Sequence, residues 1–111
     1  MTDCQLVILS KKTFGRIDLA HVTGFADSQG GAYGHEQATD PWHATFYLER
    51  GSKPADDLLG LLDASWFSQT TQSVSVYRYD PDGTRYHYPN ARLSVAPGGG
   101  VAFTSEGRVR V

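Results

Sequence analysis

Helical periodicity is convincing in only one stretch of this 111-residue chain, around Ser52 to Leu62. Elsewhere the apolar residues alternate with polar ones, or come in short β-branched runs broken by Gly and Pro. This restricts the fold to a mainly β class: a β-sandwich or barrel with one short flanking α-helix and a long glycine-rich loop. The helix is expected over residues 53–67. Ser52 is placed to cap it, Pro54 falls in its first turn, and Asp56 and Asp57 lie near the positive end of its dipole. Leu58, Leu59, Leu61 and Leu62 supply its apolar stripe. Gly60 costs about 1 kcal/mol relative to Ala inside a helix, which predicts a close packing contact with the sheet.

Before the helix, Gln5 to Leu9 and Phe14 to Val22 read as two strands joined near Lys11 to Gly15. Residues 24–40 hold four glycines and few aliphatics and are expected to form a long loop, of a length that usually has a functional reason. Pro41 ends it. The alternation of His43, Thr45, Tyr47 and Glu49 with Ala44, Phe46 and Leu48 then predicts a strand with one apolar face. After the helix, Val74 to Tyr79 leads into Asp80-Pro81-Asp82-Gly83, the signature of a type I turn closing a hairpin. The return strand is expected from about Thr84 to Val95. Pro89, which has no N–H, marks in it an edge, a bulge or a change of sheet. A last strand starts at Val101 and bends at Glu106-Gly107 before Val109.

Length and composition fit one soluble β-rich domain over residues 1–111, with 40% hydrophobic and 20% charged residues. A formal net charge of −2 lacks the basic footprint of a protein that wraps duplex DNA or an anionic membrane. Cys4 is the only cysteine, which excludes an intrachain disulfide and a multi-thiolate zinc site within one chain. The start of the chain carries an acid where a secretory leader has bases, and Leu6 to Leu9 is too short for a membrane span. Synthesis in the cytoplasm and no membrane partner are therefore expected.

The residues that could carry chemistry have plainer readings. His35, Glu36, Asp40 and His43 fall in one stretch but match no established ligand spacing, so no metal is expected. Asp56 and Asp57 suit a helix N-terminus, while Asp80 and Asp82 suit a turn. There is no phosphate-binding glycine loop with its Lys and Ser/Thr, and no nucleophile elbow. No catalytic residue and no cofactor are expected. The most unusual composition is the hairpin Tyr77-Arg78-Tyr79 and Arg85-Tyr86-His87-Tyr88. Tyr77 and Tyr79 share one face with Arg78 on the other, and Tyr86 and Tyr88 share a face. Such a surface can pack across strands or meet another subunit, and it can also stack the bases of a single-stranded nucleic acid.

The order of these features resembles a known family. Gly30-Gly31-Ala32-Tyr33-Gly34-His35-Glu36 is followed by Asp40-Pro41 and the strand of Phe46. Asp57-Leu58-Leu59, Val74-Ser75-Val76, Asp82-Gly83 and Tyr88-Pro89-Asn90-Ala91-Arg92-Leu93 then come in turn. Over roughly Gly30 to Gly107 this is similar to the tail tube proteins of Mu-like phages and prophages. The resemblance implies a structural subunit that assembles into hexameric rings, stacked as a hollow tube with other tail proteins, in which DNA is passing cargo and the final location is the virion tail. It implies contacts between subunits through the loop residues Tyr33, Gly34, His35, Glu36 and Trp42. Tyr77, Tyr79, Tyr86 and Tyr88 are the expected contacts on the β surface. A mildly acidic lumen would let DNA slide, in keeping with the net charge.

Overall fold

The computed structural model describes residues 4–10, 15–29, 41–49, 51–63, 74–96 and 98–111. The elements are β1 (Cys4–Ser10), β2 (Gly15–Gln29), β3 (Trp42–Leu48), α1 (Lys53–Asp63), β4 (Val74–Tyr79), β5 (Arg85–Val95), β6 (Val101–Ser105) and β7 (Val109–Arg110). All pairings are antiparallel, in the order β4-β1-β2-β3-β6-β5-β7, and an additional β4–β5 pairing closes the first six strands into a barrel. Of the two mainly β architectures open from sequence, the barrel is the one formed. Closure pairs the strands all round and leaves the interior to be filled by side chains. Leu6, Ile8, Val22, Phe46, Val76, Tyr88 and Phe103 are among those that fill it.

Strand β2 pairs with β1 through its first half and with β3 through its second. Its register slips twice: Ala20 and His21 together oppose Gln5, and Gly24 and Phe25 together oppose Phe46. Each slip is a β-bulge, which shifts the inward parity by one residue. The buried positions therefore run Ile17, Leu19, then Val22, then Phe25. Gly24 makes the second bulge possible, with φ at +64°, and the Tyr47 ring lies beside it. A Cβ at Gly24 would stand 2.9 Å from that ring, and one at Gly100 would stand 3.0 Å away. The expected loop is accordingly shorter than the composition suggested. Residues 24–29 are the second half of β2, because the bulge absorbs the glycine, while residues 30–40 lie outside the described residues.

Strand β5 behaves as Pro89 predicts. Val74 opposes Ala91 but Val76 opposes Tyr88, so Pro89 and Asn90 form a bulge against Ser75. Asn90 is the one non-glycine residue with positive φ among those described. Here β5 leaves β4 and takes up β6 from Arg92 onward. The Pro89 carbonyl accepts hydrogen bonds from Ser105 Oγ at 2.6 Å and from Glu106 N at 3.4 Å. The hairpin turn also forms as expected: Gly83 N donates to Asp80 O at 3.0 Å, and Gly83 takes φ of +92°.

Helix α1 follows β3 and lies at the barrel end where β3 stops. Ser52 caps it, accepting from Ala55 N at 3.3 Å, and Ala55, Leu58 and Leu62 join the barrel core. Residues 64–67 of the expected helix lie outside the described residues. Gly60 corrects the sequence reading: it is exposed, and a Cβ there would meet nothing within 4 Å. It sits on the solvent side of α1, away from the sheet. Gly60→Ala should therefore stabilise the protein by about 0.5–1 kcal/mol, through helix propensity and a less flexible unfolded chain. Chemical denaturation measures this, and a destabilised variant would restore the packing contact.

Candidate functional site at the barrel mouth

At the end opposite α1 the barrel is closed by polar groups. The second bulge of β2 turns Asp27 inward, where its side chain is 14% exposed. Three donors converge on Asp27 Oδ2: Tyr88 Oη at 2.6 Å, Arg108 Nη1 at 3.0 Å and Arg78 Nη1 at 3.3 Å. The Arg78 side chain is only 11% exposed. It also donates from Nη2 to Asp80 Oδ2 at 3.2 Å and from Nη1 to Tyr88 Oη at 3.1 Å. Two arginines thus face two aspartates with side chains 11–27% exposed, and burial of either charge alone would be costly.

Aromatic rings frame these charges. The Arg78 guanidinium lies 4.3 Å from the Tyr86 ring centroid and 4.9 Å from that of Phe25. Arg108 lies 3.9 Å from the Trp42 ring centroid and 4.7 Å from that of Tyr86. Tyr86 thus contacts both guanidinium groups. Arg108 reaches the mouth because the chain bends at Glu106–Gly107. That bend is held by Gly107 N donating to Ser105 Oγ at 3.3 Å and by Asn90 Nδ2 donating to Glu106 Oε2 at 2.8 Å.

The hairpin does not present four tyrosines on one surface. Tyr88 is fully buried and Tyr86 is half-buried on the same inner side as Arg78, its cross-strand partner. Tyr88 is therefore a core residue and not a surface contact. It opposes Val76, whose inward parity it shares. Only Tyr77 and Tyr79 remain on the outer side, and each is matched with a residue that is not a tyrosine. Tyr77 stacks on His87 with centroids 4.4 Å apart, and Arg85 lies 5.6 Å from the Tyr79 ring centroid. Trp42 is the first residue of β3 and not part of a loop. It is half-buried against the core, beneath Arg108. Tyr33, Gly34, His35 and Glu36 lie outside the described residues.

Of the histidines considered as ligands, three are described, and they are dispersed. His21 pairs with Glu49 at 3.3 Å, His43 Nδ1 lies 3.3 Å from Thr104 Oγ1, and His87 stacks on Tyr77. No group of three His, Cys, Asp or Glu side chains suited to a metal occurs among the described residues. No helix among them is long and apolar enough to cross a membrane. Sequence alone does not single out Asp27 or Arg108, and it marks Arg78 only as part of the Tyr/Arg hairpin surface; only Gly24 hints at the bulge that brings Asp27 inward.

Burial, reinforced by the hydrogen bond to Asp27 and its negative charge, raises the pKa of Tyr88 well above the usual tyrosine value, against the opposing effect of Arg78 and Arg108. Burial alone would lower the pKa of Arg78, but the oxygens of Tyr88, Asp80 and Asp27 outweigh it and the net shift is upward. The sign for Tyr88 follows from linkage. A raised folded-state pKa gives stability that is complete below the unfolded value of about 10 and is lost as pH rises beyond it. Tyr88→Phe should cost about 1.5–3 kcal/mol at pH 7, the loss of a hydrogen bond to a charged acceptor. That cost should shrink above pH 10 by about 1.4 kcal/mol per pH unit. Denaturation of both proteins at pH 7 and pH 11 measures it, and an unchanged difference would contradict the assignment.

Comparison with family models, curated proteins and solved structures found no match for this chain, so the reading of its function rests on its own residues.

Proposed function

We propose that the chain is a non-enzymatic structural subunit that self-assembles into hexameric rings, stacked as a phage-type tail tube through which DNA passes. The observation that carries this reading is that the barrel is occupied at both ends by its own side chains, α1 at one and the Asp27 cluster at the other. Binding then falls to the outer faces, and one of these has an unusual chemistry. Across β2, β3, β6 and β5, Ser28, His43, Thr104 and Arg92 form one cross-strand row, and Ala26, Thr45, Ala102 and Ser94 form the next. In these eight positions the only formal charge is that of Arg92. A wall mostly of hydroxyls and methyls, with His43 and the single cation Arg92, offers a passing polyanion few ionic contacts, and phosphate contacts are what dominate affinity for nucleic acid.

The resemblance of the segments Gly30–Glu36 and Tyr88–Leu93 to tail tube proteins supports the same reading. The protein would be made in the host cytoplasm and end in the virion tail with other tail proteins. A second reading, a small barrel that binds single-stranded nucleic acid, draws on the outer Tyr77–His87 stack and on Arg85 beside Tyr79. It has less to draw on than the sequence offered, since Arg78 is held by Asp27 and Asp80.

Light scattering on a size-exclusion column over a wide concentration range, with negative-stain microscopy of the heaviest fraction, separates the two. The tube reading predicts rings or tubes that grow with protein concentration. A monomer at all concentrations that binds oligonucleotides with a steep salt dependence would replace it with the second reading.

A further inference from the structure

The segment 107–111 is joined to a barrel that closes without it. Strands β1 to β6 complete their circuit through the β4–β5 pairing, and β7 is added to β5 outside that circuit. None of the side chains of 107–111 belongs to the core. Two cross-strand pairs, Tyr86 with Arg110 and His87 with Val109, and one bond from Val111 N to Arg85 O at 2.9 Å attach the segment to β5. Val109 is 54% exposed and Val111 is 71% exposed, and the far edge of β7 is unpaired among the described residues. Arg108 anchors the segment from the inner side, through Asp27 and the Trp42 and Tyr86 rings. Just before it, a Cβ on Gly107 would meet nothing within 4 Å, whereas Ser105 and Glu106 are bonded to Pro89 and Asn90. The chain thus has a fixed side and a free side about Gly107.

We propose that residues 107–111 form a latch over the edge of β5, which opens about Gly107 while the barrel stays closed and in which Arg108 is the catch. The bonding around Asp27 permits this. With Arg108 withdrawn into water, Asp27 Oδ2 still accepts from Tyr88 Oη at 2.6 Å and from Arg78 Nη1 at 3.3 Å, so no charge is left buried without a partner. The shared acceptor is indispensable to the cluster, and one donor of the three is not. Opening bares the backbone of β5 at Arg85 and His87, the positions that face β7, together with the Trp42 ring face that Arg108 covers. Tyr86 and Tyr88 turn their backbone groups the other way, to β4, and keep those bonds. A bare strand edge is a template for pairing with another chain, so the latch decides when this edge is available. It does so whether or not the chain forms rings.

Native-state hydrogen exchange of the intact chain tests this. The amides of His87, Val109 and Val111 should exchange together, faster than the core-strand amides of Ile8 and Val76 and with little dependence on denaturant, because the opening exposes little surface. Tyr86 and Tyr88 should exchange with the core. Arg108→Ala should speed the latch amides by roughly tenfold to a hundredfold, through loss of a charge-assisted hydrogen bond. Ile8→Val, a mild change at a fully buried position, should speed the core amides by roughly two- to tenfold. It should leave the latch amides unchanged, since the contacts of Ile8 survive in the open form. The proposal is overturned if Ile8→Val speeds the latch amides as much as the core, which would mean that the segment leaves only when the barrel unfolds. It is also overturned if Arg108→Ala leaves the latch amides unchanged.

Discussion

One carboxylate oxygen, Asp27 Oδ2, organises the open end of the barrel. It accepts from a tyrosine on β5, an arginine on β4 and an arginine from the segment after β6, so a single acceptor joins parts of the chain that are 51, 61 and 81 residues away from it. A six-stranded barrel closed by backbone bonds alone still has two ends to cover. At one end α1 does this with leucines. At the other, residues close to solvent do it with charges, and the arrangement holds because each charge has an opposite partner and a hydrogen bond. Removing Asp27 would leave Arg78 with Asp80 alone and take from Tyr88 and Arg108 the acceptor they share, so the cluster acts as a unit.

The geometry beneath that cluster is set by irregular strands. In a regular β2 the residues of one parity would all point inward, and the strand would carry Ile17 and Leu19 inward without bringing Val22 to the same face. Two bulges re-aim the strand, and the second depends on a glycine covered by Tyr47. On the opposite side, Pro89–Asn90 on β5 and Ser105–Gly107 at the end of β6 face each other and are hydrogen-bonded together, and this bend turns Arg108 toward Asp27. The barrel corners and the polar mouth thus share one cause.

Much of this fold is legible in the sequence, because it rests on local rules. Alternation locates β3, the Ser52 cap and leucine stripe locate α1, and Asp80-Pro81-Asp82-Gly83 locates the hairpin turn. Pro89 marks the place where β5 changes partners. The mouth was not legible. Inward parity along β2 depends on register against two different neighbours, so Asp27 read as part of a loop. The hairpin tyrosines looked alike in sequence, yet Tyr77 faces outward and Tyr88 fills the core, because a strand sends adjacent cross-strand pairs to opposite sides. Arg108 could not be assigned, since its partners lie on strands distant in the chain.

The central claim is that the Asp27 cluster closes the barrel as one coupled unit. Its most direct test is the denaturant-unfolding free energy of Asp27→Ala against the parent protein at pH 7. Loss of the shared acceptor, with Arg78 left buried, predicts destabilisation by about 3–5 kcal/mol. A loss below about 1 kcal/mol, the size expected of an exposed ion pair, would contradict the account.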